Sequence, residues 1–415
     1  MNVSDKYPKI IVIGAGPAGM MAAGRAAQAG ADVLLFDKNA RTGRKLILTG
    51  KGRCNITNDC DNEKLMQNVV HNPKFLFGAF AGFSSRDTME FFENLGVPLK
   101  TERGGRVFPV SDKAMDINDA FGRYLKKNGV RLVNKTVTEI LTEDGAVTGV
   151  ICGGERFDCD RCIIATGGAS YPGTGSDGTG YKLVTELGHT LVPTEPSLVP
   201  LVCEGGECVS AQGLSLRNIA ITVKNRAGKI IYKDFGELLF THFGLSGPVI
   251  LSASSHIDKN KDMPCVISID LKPALTEEQL DARILRDFSE NINKDFENSL
   301  RKLLPKSIID IIIKRTGIPP EKKLNSITKE QRRKLIEVLK SLEFTVSGFR
   351  PIAEAIITAG GISVKEISPK TMESKLVRGL YFAGEMIDVD AHTGGYNLQI
   401  ALSTGVCAGT NAAKI

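Results

Sequence analysis

The stretch that most constrains this chain is Gly14-Ala15-Gly16-Pro17-Ala18-Gly19. It follows the apolar run 9–13, which suits a strand buried on both faces of a parallel sheet. It opens an Ala-rich segment, 17–29, of high helix propensity that ends at Gly30. A second apolar run, 32–36, completes a strand–helix–strand unit. In that setting each glycine has its own task. The first permits a tight turn, the second lets the backbone approach a pyrophosphate, and the third lets helix and strand pack closely. The helix start offers free N–H groups and a partial positive charge to phosphates. Asp37, at the end of the second strand and 18 positions after Gly19, places a carboxylate where an adenosine ribose donates hydrogen bonds. The reading is a dinucleotide site; a glycine-rich turn with no ligand is the weaker alternative.

Composition narrows the class. A chain of 415 residues, 42% hydrophobic and 24% charged, is ordinary globular material for roughly two or three domains. Its net charge of +6 comes from 53 basic and 47 acidic side chains without basic runs. That speaks against a nucleic-acid partner. Asp5 interrupts the N-terminus, the run 10–13 is too short for a leader, and no stretch approaches the ~18 apolar residues of a spanning helix. The expectation is a cytoplasmic protein with no membrane partner. Nine scattered cysteines fit reduced thiols. Cys159 and Cys162 have CxxC spacing, but the nearest other pair, Cys203 and Cys208, is looser and has no histidine close by. They read as packing residues, and no metal is expected.

Further along, helical patterns cover 73–82, 85–95 and 116–128, with 103–109 read as a loop. Strands are expected at 130–133 and 161–166, and a hairpin at 136–142 and 147–152. Residues 191–272 alternate short apolar runs with Gly and Pro, an all-β pattern. Residues 273–340 are charged with helical spacing. A strand at 345–349 is read as returning to the first domain, and the stretch 379–409 reads as strand, glycine-rich loop and helix. The expected division is 1–190 and 341–415 as one split domain, 191–272 as a β-rich insert and 273–340 as a helical insert. Gly173-Thr-Gly175-Ser-Asp-Gly178 also fits GxGxxG, but it does not start at a strand end, so no separate nicotinamide domain is expected.

Two later elements separate the dinucleotides. A strand runs into Thr166-Gly167-Gly168, and another runs into Gly384-Glu385. This order resembles the two-dinucleotide flavoproteins of the glutathione-reductase-like FAD fold. Longer motifs narrow it further: 43–58 (GRKLILTGKGRCNITN), 105–109 (GRVFP), 168–172 (GASYP), 240–248 (FTHFGLSGP) and 384–399 (GEMIDVDAHTGGYNLQ). By these the chain resembles, over essentially its whole length, the BaiN/YhiN-like (aminoacetone-oxidase-like) family of FAD-dependent oxidoreductases. Lys51 is a small departure, standing where the family pattern has Gly.

The resemblance implies an α/β fold, a Rossmann-like FAD-binding domain split by the insert. It implies bound FAD and hydride transfer between flavin and a small or medium organic molecule. It leans toward reduction of an activated C=C bond in an enone, steroid or bile-acid-like substrate. A flavin oxidase acting on a small amine, an RNA-binding or RNA-modifying flavoprotein, and a flavin-binding regulator are the alternatives. NADH or NADPH enters as a transient electron donor.

Local chemistry and resemblance together give the cofactor-binding candidates. They are Gly14, Ala15, Gly16, Pro17, Ala18, Gly19, Asp37, Lys38, Arg44, Lys45, Gly50, Arg53, Cys54, Asn55, Val137, Thr166, Gly167, Gly168, Gly384, Glu385, Gly394, Gly395, Asn397, Leu398 and Gln399. Arg44, Lys45 and Arg53 sit in a pliable loop after the ribose-binding strand and suit diphosphate oxygens. Gly394 and Gly395 are read as letting backbone lie against the flavin ring, with the next helix start favouring negative charge there. His392, Tyr171 and Arg106 are the catalytic candidates. For a lone His392, packing is the commoner role. His242 reads as a turn residue.

Overall fold

Ile10, Ile11 and Val12 are at most 1% exposed, as a strand with parallel neighbours on both sides requires. Each such side chain contributes on the order of 1.5–3 kcal/mol by leaving water. Residues 7–290 and 292–414 are described in a computed structural model; Asp5, cited for the expectation of no leader, lies outside them. The chain divides into two units, Met1–Ser197 with Ile352–Ile415, and Leu198–Pro351.

In the first unit a parallel sheet runs in the order Leu380–Phe382, Arg161–Ile164, Lys9–Ile13, Asp32–Phe36, Arg131–Val133. The helix Pro17–Gln28 begins with Pro at its first turn, where the missing N–H costs nothing. The helix Tyr396–Ala412 packs closely against it. A Cβ at Gly409 would stand 2.2 Å from the Ala22 carbonyl oxygen, so small residues set that approach. A hairpin of Val137–Glu143 and Ala146–Cys152 extends to Glu155–Asp158.

The segment expected as a loop at 103–109 instead contains the strand Arg106–Pro109. It lies between Thr57–Asn58 and Leu99–Glu102. Val107 and Phe108 are buried there; the glycines before them mark the hairpin turn, and so hid the strand.

The second unit holds a closed antiparallel barrel in the order Leu201–Cys203, Gly244–Ser246, Ile230–Phe240, Ser215–Lys224, Cys265–Asp270, Leu342–Phe349. Helices Glu277–Ser289, Lys306–Thr316 and Lys329–Lys340 belong to the same unit. Several of its basic residues pair with acids, among them Arg332 with Asp281 at 2.5 Å and Lys340 with Asp270 at 2.5 Å.

The division differs from the sequence expectation at both joins. Leu191–Ser197 pairs with Ile357–Ile362 in the first unit, so the unit extends past 190. Leu342–Phe349 does not return to the parallel sheet. Leu342, Phe344 and Val346 are buried in the barrel core, and the strand closes the barrel against Cys265–Asp270 and Leu201–Cys203. Cys162 is buried within the strand Arg161–Ile164 of the parallel sheet, and Cys159 is buried just before it. Burial pushes the Cys159 thiol up to about 12 and Cys162 well above the ordinary range, which suits packing rather than thiolate chemistry.

Candidate functional site

The carboxyl ends of the parallel strands open onto a cavity of about 460 Å³, with Ile13, Phe36, Ala165 and Ala383 at or just beyond the strand ends. Ligands of open α/β sheets bind on this edge, and the volume lies in the roughly 300–1,000 Å³ range of ligand pockets. The three glycines of the first loop behave differently from one another. A Cβ at Gly14 would stand 2.4 Å from the Ala165 carbonyl oxygen, and one at Gly19 would stand 1.8 Å from that of Gly14. Those two glycines let strand and helix touch. At Gly16 nothing lies within 4 Å of the missing Cβ, and the residue lines the cavity. No protein neighbour requires glycine there; the open space does. Gly16 also caps the helix Pro17–Gln28 without any side-chain cap, leaving its first N–H groups to a ligand.

Asp37 ties the loop together. Its Oδ2 accepts the Ala15 N–H at 2.7 Å, and its Oδ1 accepts the Asn39 N–H at 2.7 Å and the Asn39 side-chain amide at 3.0 Å. An ionised carboxylate keeps acceptor capacity beyond these bonds. Lys38, Arg41, Arg44, Lys45, Lys135 and Lys182 line the cavity against two acids, Asp37 and Glu385. That excess of cations suits a diphosphate. Lys45 Nζ lies 2.6 Å from Glu385 Oε2 and 2.6 Å from Ser170 Oγ. Arg44 donates to Asn39 Oδ1 at 2.7 Å, and Lys38 pairs with Asp177 at 2.7 Å. The buried Ser176 hydroxyl lines the same cavity and has no hydrogen-bond partner among the described residues. Such a group calls for a ligand or water. An open glycine, an uncapped helix start, excess positive charge and an orphaned hydroxyl fit an adenine dinucleotide.

The whole chain from 8 to 411 matches the family model described as HI0933-like protein Rossmann domain. The chain belongs to this family. It is an FAD-dependent oxidoreductase of that kind. A 3-dehydro-bile acid delta(4,6)-reductase of Clostridium scindens is 31% identical over 418 residues, 98% of this chain and 99% of the relative. A ribosomal RNA dihydrouridine synthase of Haemophilus influenzae is also 31% identical, over 415 residues, covering 97% and 98%. Among solved structures, the 3-ketosteroid-delta4-(5alpha)-dehydrogenase of Rhodococcus jostii RHA1 shares the fold. Its TM-score is 0.54 at 18% identity, over 100% of this chain and 99% of that one. No helix among the described residues is long and apolar enough to cross a membrane.

Within this HI0933-like chain, Gly14, Ala15, Gly16, Pro17, Ala18, Asp37, Lys38, Arg44, Lys45, Val137, Thr166, Gly167, Glu385, Asn397 and Leu398 come together around the cavity. Gly19 lies behind it, as its packing task demands. Other candidates turn elsewhere. Arg53 is not at the cavity: its guanidinium pairs with Glu102, and with Asp112 at 2.6 Å, and stacks over Phe108. The carboxylates that claim it lie 49 and 59 positions away. Cys54 is fully buried, and Asn55 accepts the Val107 N–H at 3.1 Å, so both build the neighbouring sheet. Gly50 packs near Asn55 and Phe108, Gly168 against Thr358, and Gly384 against Ala18.

Gly394 and Gly395 do not line the cavity. A Cβ at Gly395 would meet the Thr57 carbonyl at 2.3 Å, and one at Gly394 would meet the Tyr396 ring at 3.0 Å. Their nearest neighbours are the protein itself. Gln399 is fully buried and bonds Thr57, Thr88, Ser403 and the Phe83 carbonyl.

His392, Tyr171 and Arg106 do not line the cavity. His392 is half-buried with its Nδ1 3.2 Å from Asn68 Oδ1. Tyr171 is exposed with φ 54°, and Arg106 extends beside Glu102. The sequence reading did not find Ser176 or the cluster of His71, Asp388 and Asp390. Asp388 and Asp390 stand inside a quoted motif, but His71 has no local signal. It reaches Asp390 across 319 positions.

Proposed function

We propose that this protein saturates a C=C bond conjugated to a carbonyl group. What carries the reading is that two whole-length relatives, 31% identical each, bear names that describe one bond change. Reduction of a 3-oxo-4,6-diene adds hydrogen across an alkene conjugated to a ketone. Conversion of uridine to dihydrouridine adds hydrogen across the C5=C6 bond conjugated to the C4 carbonyl. Bound FAD supplies a two-electron hydride donor for this chemistry.

The chain's own residues bind and orient it. The N–H groups following Gly16 would take the diphosphate, with Lys38, Arg44 and Lys45 balancing its charge. Asp37 would accept from the adenosine ribose. Glu385, already fixed by Lys45, Ser170 and the Thr358 N–H, is positioned to accept from the ribityl hydroxyls. Asn397 bonds the backbone at Ala391 and His392, holding the far wall of the cavity rigid. A nicotinamide dinucleotide is the proposed electron donor, visiting without a domain of its own.

The favoured substrate is an enone of steroid or bile-acid type. The ribosomal RNA reading stands beside it, because the relative named for that activity is equally similar. Anaerobic enzyme reduced with NADH or NADPH is to be mixed with a 3-oxo-Δ4 steroid. In parallel, dihydrouridine is counted by mass spectrometry in ribosomal RNA from cells with and without the gene. Steroid product heavier by two hydrogens supports the favoured reading, and gene-dependent dihydrouridine supports the second. Failure of both, with peroxide formed from a small amine, overturns the proposal.

A further inference from the structure

A second cavity, of about 510 Å³, lies in the same unit and shares no lining residue with the first. Its volume also falls in the roughly 300–1,000 Å³ range of ligand pockets. Residues of the helices Pro17–Gln28, Ser85–Asn94 and Ala114–Lys127 line it. Two of these helices are locked together beside it. A Cβ at Gly24 would stand 2.0 Å from the Tyr124 ring, and the Tyr124 hydroxyl donates to Gln28 Oε1 at 3.1 Å.

Arg25 is the group in this cavity that the fold leaves unanswered. Its Nε is buried without a hydrogen-bond partner, and no carboxylate pairs with its guanidinium among the described residues. The guanidinium carbon instead lies 5.3 Å from the centre of the Phe83 ring and 5.7 Å from that of Phe91. The two rings stand at 79° to each other. Ring faces attract a cation but leave its in-plane N–H donors unused. Arg25 also sits in the last turn of its helix, where the dipole favours a cation and again takes up none of those donors. A guanidinium drawn partly out of water is costly until an anion bonds it.

The acids that line the same cavity are engaged elsewhere. Asp87 Oδ2 accepts the Ser84 N–H at 2.7 Å and the Ser84 hydroxyl at 2.6 Å, and Glu90 pairs with Arg86 at 3.0 Å. Asn94 and Lys127 line it too, and neither side chain bonds a described residue. A rigid guanidinium fork with donors to spare matches a planar carboxylate. Charge decides between oxyanions. Arg25 and Lys127 are offset by Asp87 and Glu90, so a dianion such as a phosphate is repelled more than a monoanion.

We infer that this cavity binds a small organic monocarboxylate, with the carboxylate on Arg25 and the apolar body against Phe83, Phe91, Leu95 and Val406.

The test uses FAD-loaded protein, so that the first cavity is occupied. Calorimetric titration with benzoate is expected to show one site per chain with a Kd of about 1 mM or tighter. Benzyl alcohol keeps the ring and lacks the charge; inorganic phosphate keeps charge and lacks the ring. Each is expected to bind at least about tenfold more weakly than benzoate. Arg25→Gln and Arg25→Lys are both expected to weaken benzoate binding about tenfold or more, the second because an ammonium cannot form the fork, with FAD content unchanged. No benzoate bound by wild type at about 10 mM overturns the inference. So does benzyl alcohol or phosphate binding as tightly as benzoate, or unchanged benzoate affinity in either variant. Should Arg25→Gln fail to fold, Arg25→Lys and the alcohol comparison decide it.

Discussion

Two glycine clusters in this molecule look alike as sequence and differ as structure. Gly14, Gly16 and Gly19 leave one open position, at Gly16, that lines the cavity. Gly394 and Gly395 leave none, since the space of each missing Cβ is taken by Tyr396 or by the Thr57 backbone. A glycine marks where a side chain cannot be, but not whether ligand or protein excludes it. At the first cluster both causes operate within six residues. At the second, self-packing alone is enough to require glycine.

Substitutions sharpen that contrast. Gly395→Ala forces a left-handed residue, φ 101°, and a 2.3 Å approach to the Thr57 carbonyl. Strain and overpacking together are expected to cost about 3 kcal/mol, measured by urea unfolding of FAD-free protein. Full stability of this variant would reopen the turn as a ligand contact. Lys45→Met tests the cations at the open cluster. FAD affinity is expected to fall roughly tenfold, while Arg53→Gln is expected to change it by less than about twofold, because Glu102 and Asp112 already hold that guanidinium. Fluorescence titration with FAD separates the two, and equal losses would return Arg53 to the site. Lys51 departs from the glycine of the family pattern and sits at φ 60°. Lys51→Gly is therefore expected to stabilise by about 1 kcal/mol, read as a rise in midpoint.

The smallest effect concerns pH. His71 has a raised folded-state pKa, so its contribution to stability is full below its ordinary value near 6.5 and is lost as pH rises through the raised value. The difference in melting temperature between wild type and His71→Gln is expected to shrink across that window. A difference independent of pH would mean that the ring contributes packing only.

What was legible in the sequence follows the range of the interactions. The buried parallel strands announce themselves as apolar runs, and the hairpin around Gly145 as two alternating strands with a turn. Contacts within one strand–helix–strand unit, such as Asp37 to Ala15 across 22 positions, are also readable. Pairings that depend on where distant strands meet are not. The strand Leu342–Phe349 alternates as any half-buried strand does, and nothing local says that it closes a barrel with Leu201–Cys203. Arg53 reads as a phosphate ligand until Glu102 and Asp112 are seen beside it. His71 is an isolated histidine until the register with Asp390 is known.

The central claim is that the space beside Gly16 is held open for one FAD per chain. Flavin fluorescence titration of FAD-free wild type and of Gly16→Val tests it most directly, with urea unfolding as the control. The expected result is one FAD bound per wild-type chain and at least a 100-fold loss of affinity in Gly16→Val, about 2.7 kcal/mol, with FAD-free stability within about 1 kcal/mol of wild type. Equal FAD affinity in the two proteins, or a wild type that binds no FAD, would contradict it.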